Sequence, residues 1–427
     1  MSTTPTPIVD EAPAPTSQQA AEQIMQRCDE IAKLSCREDG IERVYLSREH
    51  MAADKMAERW MNEAGLATWL DAAGSRCGRI EGREPGLPAL VLGSHLDTVP
   101  DAGRYDGILG VLLAIETARR IAPRAAELPF ALEVIAFHEE EGVRFRSTLL
   151  GSRAFAGTWS EDLWPLQDAD GISLEQAFRD FGLDPERVDE AARRSEELVG
   201  YLEAHIEQGP YLEAADRPLG VVSIIAGARR MEITITGEAR HAGGTPYEKR
   251  HDALVGASEA VVAIEEIGRR RGVIATVGQI TVEPGAVNVV PGVARFSLDL
   301  RAETDEARDG AWDEIADAMA ELCSARGLEL ESVQMHAAHS VVCDEQLRAA
   351  ITSGITSAAG DEEPMVIWSR AGHDAMAVAD VCPVAMLFTR CHDGISHHPD
   401  ESVLTEDVAV ALDAFEAAVW AVAAQHS

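Results

Sequence analysis

The 427-residue chain lacks a disulfide framework. Its seven cysteines, at positions 28, 36, 77, 323, 343, 382 and 391, are odd in number, scattered and without a CxxC pair. That excludes a disulfide-stapled secreted scaffold and a thiolate zinc site, and a reducing cytoplasm is the expected location. No run approaches the roughly 18 apolar residues of a membrane span. The apolar stretch 408–424 is interrupted by Asp413 and Glu416 and has the pattern of an amphipathic helix. Basic residues are scarce: 37 against 73 acidic ones, a net charge of −36. Such a balance argues against nucleic acid and against anionic membrane surfaces as partners. The first twenty residues carry proline-rich segments but neither a basic n-region nor an apolar h-region. Residues 1–19 are therefore expected to be a disordered tail and not a signal peptide. No internal repeat is visible.

What remains is ordinary globular usage, 46% hydrophobic and 26% charged, in a chain long enough for two or three domains. One stretch organises it. The apolar run 87–92 reads as a buried strand that stops at Gly93, and His95, Asp97 and Asp106 follow within a dozen or so residues. Histidine and carboxylates on a loop past a strand end are well placed to hold a divalent ion, because ligands of open α/β sheets collect at the carboxyl ends of strands. A helix is expected from Asp106 to Ile121. The strand candidate 130–137 runs straight into His138-Glu139-Glu140-Glu141-Gly142, and 202–210 carries His205-Ile206-Glu207-Gln208-Gly209. Strands and helices alternate in this way as in an α/β domain. From about Leu219 the pattern changes to four strands and two helices, long enough for an inserted domain. After Ser332 the α/β pattern returns and ends in Gly394-Ile395-Ser396-His397-His398-Pro399.

His95, Asp106, Glu141, His205 and His397 each stand near an expected strand end or in a glycine-punctuated loop. Singly, each has a structural reading: a hydrogen-bonded histidine, a solvated glutamate run, or Asp106 as a helix cap. Jointly they are imidazole and carboxylate without thiolate, a set that suits Zn, Mn, Co or Ni. A carboxylate bridging two ions about 3.5–4 Å apart makes a binuclear hydrolytic site. A carboxylate beside it must take a proton from water and pass it to the leaving nitrogen. Glu139, Glu140 and Glu141 offer both a ligand and a base.

The segments GSHLDTVP, GRYDG, EEEGVRF, HIEQGP, HAGGTP, GHDA and GISHHPDE, in this order, resemble the M20-type metallopeptidase superfamily. Within it they resemble the branch of N-carbamoyl-L-amino-acid hydrolases, allantoate amidohydrolases and β-ureidopropionases, and HIEQGP is the discriminating motif. The likeness runs from about residue 20 to the end. It implies an α/β catalytic domain with a central mixed sheet flanked by helices, a zinc-exopeptidase-like fold. An α+β, ferredoxin-like lid and dimerisation domain would interrupt it. The expected division is 20–216 and 336–427 for the catalytic domain and 217–335 for the lid.

The resemblance also implies roles. His95, Asp106 and His205 hold one of two divalent ions per subunit; Asp106, Glu141 and His397 hold the other, with Asp106 bridging. Glu140 is the general base, and Asp97 orients His95. His241 polarises the scissile carbonyl, from the partner subunit of a homodimer. Gln208, Asn288, Arg301, Gly394 and Ser396 hold the substrate, and a guanidinium at 301 suits a carboxylate. Two positions depart from the branch: Arg370 stands where glycine is usual, and Tyr247 where methionine is common. Both bear on the substrate more than on the chemistry, and Asp374 has either a functional or a buttressing role. The implied activity is hydrolysis of the carbamoyl C–N bond of N-carbamoyl-L-amino acids. The alternatives are an allantoate amidohydrolase, an N-acyl-amino-acid hydrolase and a catalytically silent scaffold of the same fold.

Overall fold

The computed structural model describes residues 15–426. The stretch expected as a tail lies outside the described residues up to 14. Its last three residues already belong to helix Ser17–Ile31, capped by the Thr16 side chain. Contacts divide the chain into two units, 15–221 with 344–365 and 377–426, and 222–343 with 366–376. The insertion expected at 217–335 therefore compares with a second unit that extends to 343 and takes in 366–376. Strand Glu329–Ala338 accounts for the later end: it pairs antiparallel with Gly227–Thr236 and so continues the second unit's sheet.

In the first unit the strand order is Ala67–Leu70, Arg76–Ile80, Ala131–Phe137, Ala89–His95, Leu198–Ile206, Val384–Thr389 and the start of Leu219–Ile225. The four strands from Ala131–Phe137 to Val384–Thr389 are mutually parallel, and each outer strand pairs antiparallel with its inner neighbour. Every residue of Ala89–His95 and Ala131–Phe137 is buried, which is why both read as near-continuous apolar runs. Glu133 is the charged residue in the middle of the second run, and it is held by Arg79 and Arg193 at 2.7 and 2.6 Å. Helix Ile108–Ile121 packs on this sheet, and residues 108–118 are all buried. An all-round apolar helix is a core helix, each large aliphatic side chain contributing about 1.5–3 kcal/mol on burial.

The central strand does not stop at Gly93; it continues to His95, which is in register with Phe137. A Cβ at Gly93 would lie 2.3 Å from the Ile135 carbonyl oxygen. The glycine thus serves the close approach of two strands and not a turn. Because the parallel strands share one direction, His95 and His205 reach the same edge of the sheet.

The second unit has a five-stranded sheet ordered Ile280–Glu283, Val293–Ala302, Gly227–Thr236 and Glu329–Ala338, with Ile274–Thr276 beside Val293–Ala302. Residues 274–283 thus form two short strands and not one. Met231, Ile233 and Ile235 alternate inward, as do Ala294, Phe296, Leu298 and Leu300. They form one core with helices Ala253–Arg271 and Asp305–Arg326. The alternate residues, among them Arg230, Glu232, Ser297, Asp299 and Arg301, point to the opposite face. No helix among the described residues is long and apolar enough to cross a membrane.

Candidate metal centre

The first unit gathers three overlapping groups whose ligand atoms lie within 4.8 Å of one another: His95, Asp106, His205; Asp106, Glu141, His397; and His95, Glu140, Glu141. All five residues expected as ligands are in this cluster. Asp106 is its hub. Its Oδ1 lies 3.1 Å from His205 Nε2 and 3.7 Å from His95 Nε2, and its Oδ2 lies 3.1 Å from His397 Nε2. Each oxygen therefore faces its own imidazole set. Glu141 Oε1 is 3.3 Å from His397 Nε2 on the second side.

The donor chemistry fits divalent ions. His95 Nδ1 donates to the Asp97 carbonyl at 3.1 Å, and His205 Nδ1 donates to the Ile206 carbonyl at 2.9 Å. A carbonyl only accepts, so the neutral rings carry hydrogen on Nδ1 and turn the Nε2 lone pair toward Asp106. With no cation between them, the carboxylates instead favour a proton on those Nε2 atoms. Burial works against charge on these rings, yet Asp106 and Asp97 raise the His95 imidazole well above its ordinary value, and Asp106 raises that of His205. His397 is pushed up to about 11, against burial, by Asp106 and Glu141. Burial likewise works against ionised Asp106, but His205, His397 and His95 hold it well below the carboxylate range. A centre that draws protons onto three imidazoles is one where cations and protons compete, so metal binding there releases protons.

The Asp97 side chain has further partners. Its Oδ1 accepts from the Glu140 N–H at 3.2 Å and its Oδ2 from the Glu141 N–H at 3.1 Å. One carboxylate thereby fixes the backbone of the neighbouring acids, and Glu140 itself is buried. Glu139, Gln208 and His397 adopt left-handed backbone with φ of 59°, 55° and 56°. Such conformations are costly for residues with a Cβ and concentrate at functional sites. Gly107, at φ 69°, is required for a second reason: a Cβ there would stand 2.5 Å from the His95 ring.

Two residues expected at the substrate meet the hub, and a third packs on the residue after one of them. Gln208 Nε2 donates to Asp106 Oδ2 at 2.9 Å and Ser396 Oγ lies 2.9 Å from the same oxygen. Gly394 packs on the Gly209 backbone. His241, Asn288 and Arg301 belong to the second unit. His241 and Asn288 are neighbours there, on a two-stranded ribbon where the Ala242 N–H donates to the Asn288 carbonyl at 2.9 Å. Arg301 grips Asp299 through Nε and Nη2 at 3.1 and 2.8 Å. Tyr247 is exposed.

Glu401 was not singled out by sequence reasoning, although it stands four residues past His397 in the same motif. It is buried, and its Oε1 accepts from the Tyr105 and Asp106 N–H groups at 2.8 and 3.1 Å. Ser396 Oγ lies 2.8 Å from Glu401 Oε2 as well as 2.9 Å from Asp106 Oδ2. One hydroxyl proton cannot serve two carboxylates. Glu401, pushed up to about 7 by burial and then by the Asp106 charge, is the one suited to carry a proton and donate to Ser396. Glutamine mimics that state. Glu401→Gln is therefore expected to keep metal affinity within about threefold, whereas Glu401→Ala loses about 10–100-fold, as outer-shell partners of ligands do. Titration of metal-free protein with Mn²⁺ or Zn²⁺ reads the difference, and equal losses in both variants would contradict the hydrogen-bond count. Glu139 was also unassigned: its buried Oε1 accepts from the Arg144 and Phe145 N–H groups, both at 3.1 Å, and ties down the loop after Glu141.

The sequence profile of peptidase family M20/M25/M40 matches residues 91–421. An N-carbamoyl-L-amino acid amidohydrolase of Geobacillus stearothermophilus is 38% identical over 404 residues, covering 94% of this chain and 98% of the relative. An allantoate deiminase of Arabidopsis thaliana is 38% identical over 421 residues, covering 91% of this chain and 80% of the relative. Among solved structures, an amidase of the hydantoinase/carbamoylase family from Burkholderia multivorans is similar with a TM-score of 0.85 and 33% identity. That likeness covers 94% of this chain and 98% of the other.

Proposed function

The chain belongs to peptidase family M20/M25/M40, and from that premise we propose that it is a binuclear-metal amidohydrolase acting on a C–N bond that is not a peptide bond. Its substrates are N-carbamoyl-L-amino acids, and its products are the amino acid, carbon dioxide and ammonia. The observation that carries this reading is Asp106, whose two oxygens face separate imidazole sets in a cluster without thiolate. The names of relatives similar over nearly the whole chain support the substrate class.

His95, Asp106 and His205 would hold one ion, and Asp106, Glu141 and His397 the other; Zn, Mn, Co and Ni all suit the donors. When bound, such ions lower the pKa of water and polarise a carbonyl. Glu140 accepts the proton of the attacking water and returns it to the leaving nitrogen. The carbamoyl carbon gains oxygen from water as its bond to that nitrogen breaks, and the remaining carbamate yields carbon dioxide and ammonia. Asp97 holds Glu140 and Glu141 by their N–H groups, so base and ligand keep their spacing. Gln208 and Ser396 contact the Asp106 carboxylate and border the substrate there.

The second unit acts as the lid and dimerisation domain of a homodimer. His241, on its exposed ribbon beside Asn288, polarises the carbonyl of a substrate in the partner subunit. Seven free thiols suit a reducing cytoplasm.

A second reading, allantoate hydrolysis, is favoured by the similarity to allantoate deiminases at 35–38% identity. Hydrolysis of N-acyl amino acids is a third. A silent scaffold is disfavoured because the five ligand positions and the base are all present. Metal-loaded protein is expected to release ammonia from N-carbamoyl-L-amino acids and to lose that activity on dialysis against chelator. Ammonia from allantoate alone would select the second reading, and release of acetate and free amino acid without ammonia from N-acetyl amino acids the third. No product from any of these would end the assignment.

A further inference from the structure

On the outward face of the second unit's sheet lies a cavity of about 800 Å³ whose walls include Arg230, Arg295, Arg301 and Arg370 against two acids, Glu232 and Asp299. Counting Glu283, which pairs with Arg295, four arginines face three acids, an excess of one positive charge in a chain of net charge −36. Arg295 is matched by Glu283 from an adjoining strand. Arg301 and Arg230 converge on one carboxylate, with Asp299 at 2.8 Å from Arg301 Nη2 and 3.6 Å from Arg230 Nε. Scaffolding alone calls for one arginine per aspartate. Gathering like charges in a partly buried space is unfavourable, and an anionic ligand offsets it.

Arg370 sits on a built support. Its guanidinium carbon is 4.2 Å from the centre of the Trp368 ring, and its Nη1 donates to the Trp368 carbonyl at 3.3 Å. Its own carbonyl accepts from Arg301 Nη1 at 2.9 Å. The preceding Ser369 is buried, and its hydroxyl lies 2.7 Å from His373 Nε2 and 3.2 Å from the Ala371 nitrogen. A guanidinium stacked and hydrogen-bonded in this way loses little freedom when it meets a carboxylate, whose two oxygens match its fork. The cavity thus has two separated cationic stations, Arg301 with Arg230 and Arg370, with the apolar Met335 and Ile274 also in its walls.

We infer that this cavity binds a small dicarboxylate, with Arg370 receiving the second carboxylate, so that the preferred ureido substrate is the N-carbamoyl derivative of an acidic amino acid. The inference rests on the ureido-acid reading above. It is tested with two substrates that differ by one charge, N-carbamoyl-L-aspartate and N-carbamoyl-L-asparagine, on metal-loaded wild type, Arg370→Gly and Arg370→Gln. The glutamine variant keeps a long polar side chain in case glycine loosens the segment. The wild-type ratio of kcat/KM for aspartate over asparagine derivative is expected to exceed about tenfold and to fall by at least about tenfold in both variants, as loss of a charge-assisted pair requires. A wild-type ratio near unity, unmoved by either substitution, overturns the inference and leaves the ureido reading intact. If neither compound releases ammonia, the ureido reading fails, and calorimetry with succinate then judges the cavity alone. Binding to wild type that is lost in both Arg370 variants supports the dicarboxylate site, and no binding to wild type overturns it.

Discussion

Replacing Glu140 with glutamine is expected to lower kcat by about 10²–10⁴-fold, the span of general acid–base catalysis, while leaving metal content unchanged. The two halves of that result come from different features. Glu140 is buried and adjoins His95 and Glu141, so its carboxylate is close enough to meet a water at the centre. Its backbone, however, is held by Asp97 Oδ1 and not by its own side chain, and glutamine leaves that hydrogen bond in place. The proposed ligand frame of His95, Asp106, Glu141, His205 and His397 is therefore expected to persist. Ammonia release and metal analysis by mass spectrometry read the two halves separately. Loss of metal together with turnover would make Glu140 a ligand and move the base to another of the three glutamates. The same variant tests sharing across subunits. Glu140→Gln and His241→Ala chains, each expected to be impaired alone, should regain activity when mixed dimers form, and failure to do so would remove His241 from the partner's site.

Asp106→Asn is expected to abolish turnover and to weaken both ions by at least on the order of 100-fold, more than the loss typical of an outer-shell partner. The substitution keeps the shape and removes the charge on which His95, His205 and His397 all converge, at 3.7, 3.1 and 3.1 Å. Asparagine also presents an N–H₂ group where one oxygen stood, and that group cannot be a ligand to either side. Gln208 and Ser396, which meet the Asp106 carboxylate at 2.9 Å each, lose an anionic partner at the same time. Metal stoichiometry after dialysis, with folding checked by circular dichroism, measures the effect. One ion retained with full affinity would show that Asp106 serves a single ion and is not the bridge.

The residue set of the centre was legible because chemistry leaves a strong local trace. Histidine and carboxylate after apolar runs are unusual, and five such positions in ordered motifs reinforce one another. Gly93 shows where local reading failed. A glycine at the end of an apolar run has the pattern of a turn, yet here it admits the Ile135 carbonyl oxygen, a neighbour 42 positions away in the chain. Residues 329–338 show the same limit, since a strand near the end of an insertion carries no local mark of which sheet it joins. Glu401 and Asp97 were undervalued for a related reason. Their work is to accept N–H groups of residues 295 and 43 positions away, and no spacing rule encodes such partners.

The sequence by itself determined the chemical vocabulary: an imidazole and carboxylate donor set, three successive glutamates beside it, an acidic chain without thiolate pairs, and membership of a metallohydrolase family. Those properties belong to side-chain chemistry and to the order of motifs, which the linear chain carries directly. Only the tertiary structure decided that Asp106 turns each oxygen to a different imidazole set, that Glu401 and Ser396 brace it, and that Arg370 and Arg301 line one cavity. These are distances between residues far apart in the chain. They are set by parallel strands ending at one edge and by alternation across a sheet, so they exist only once the chain has folded.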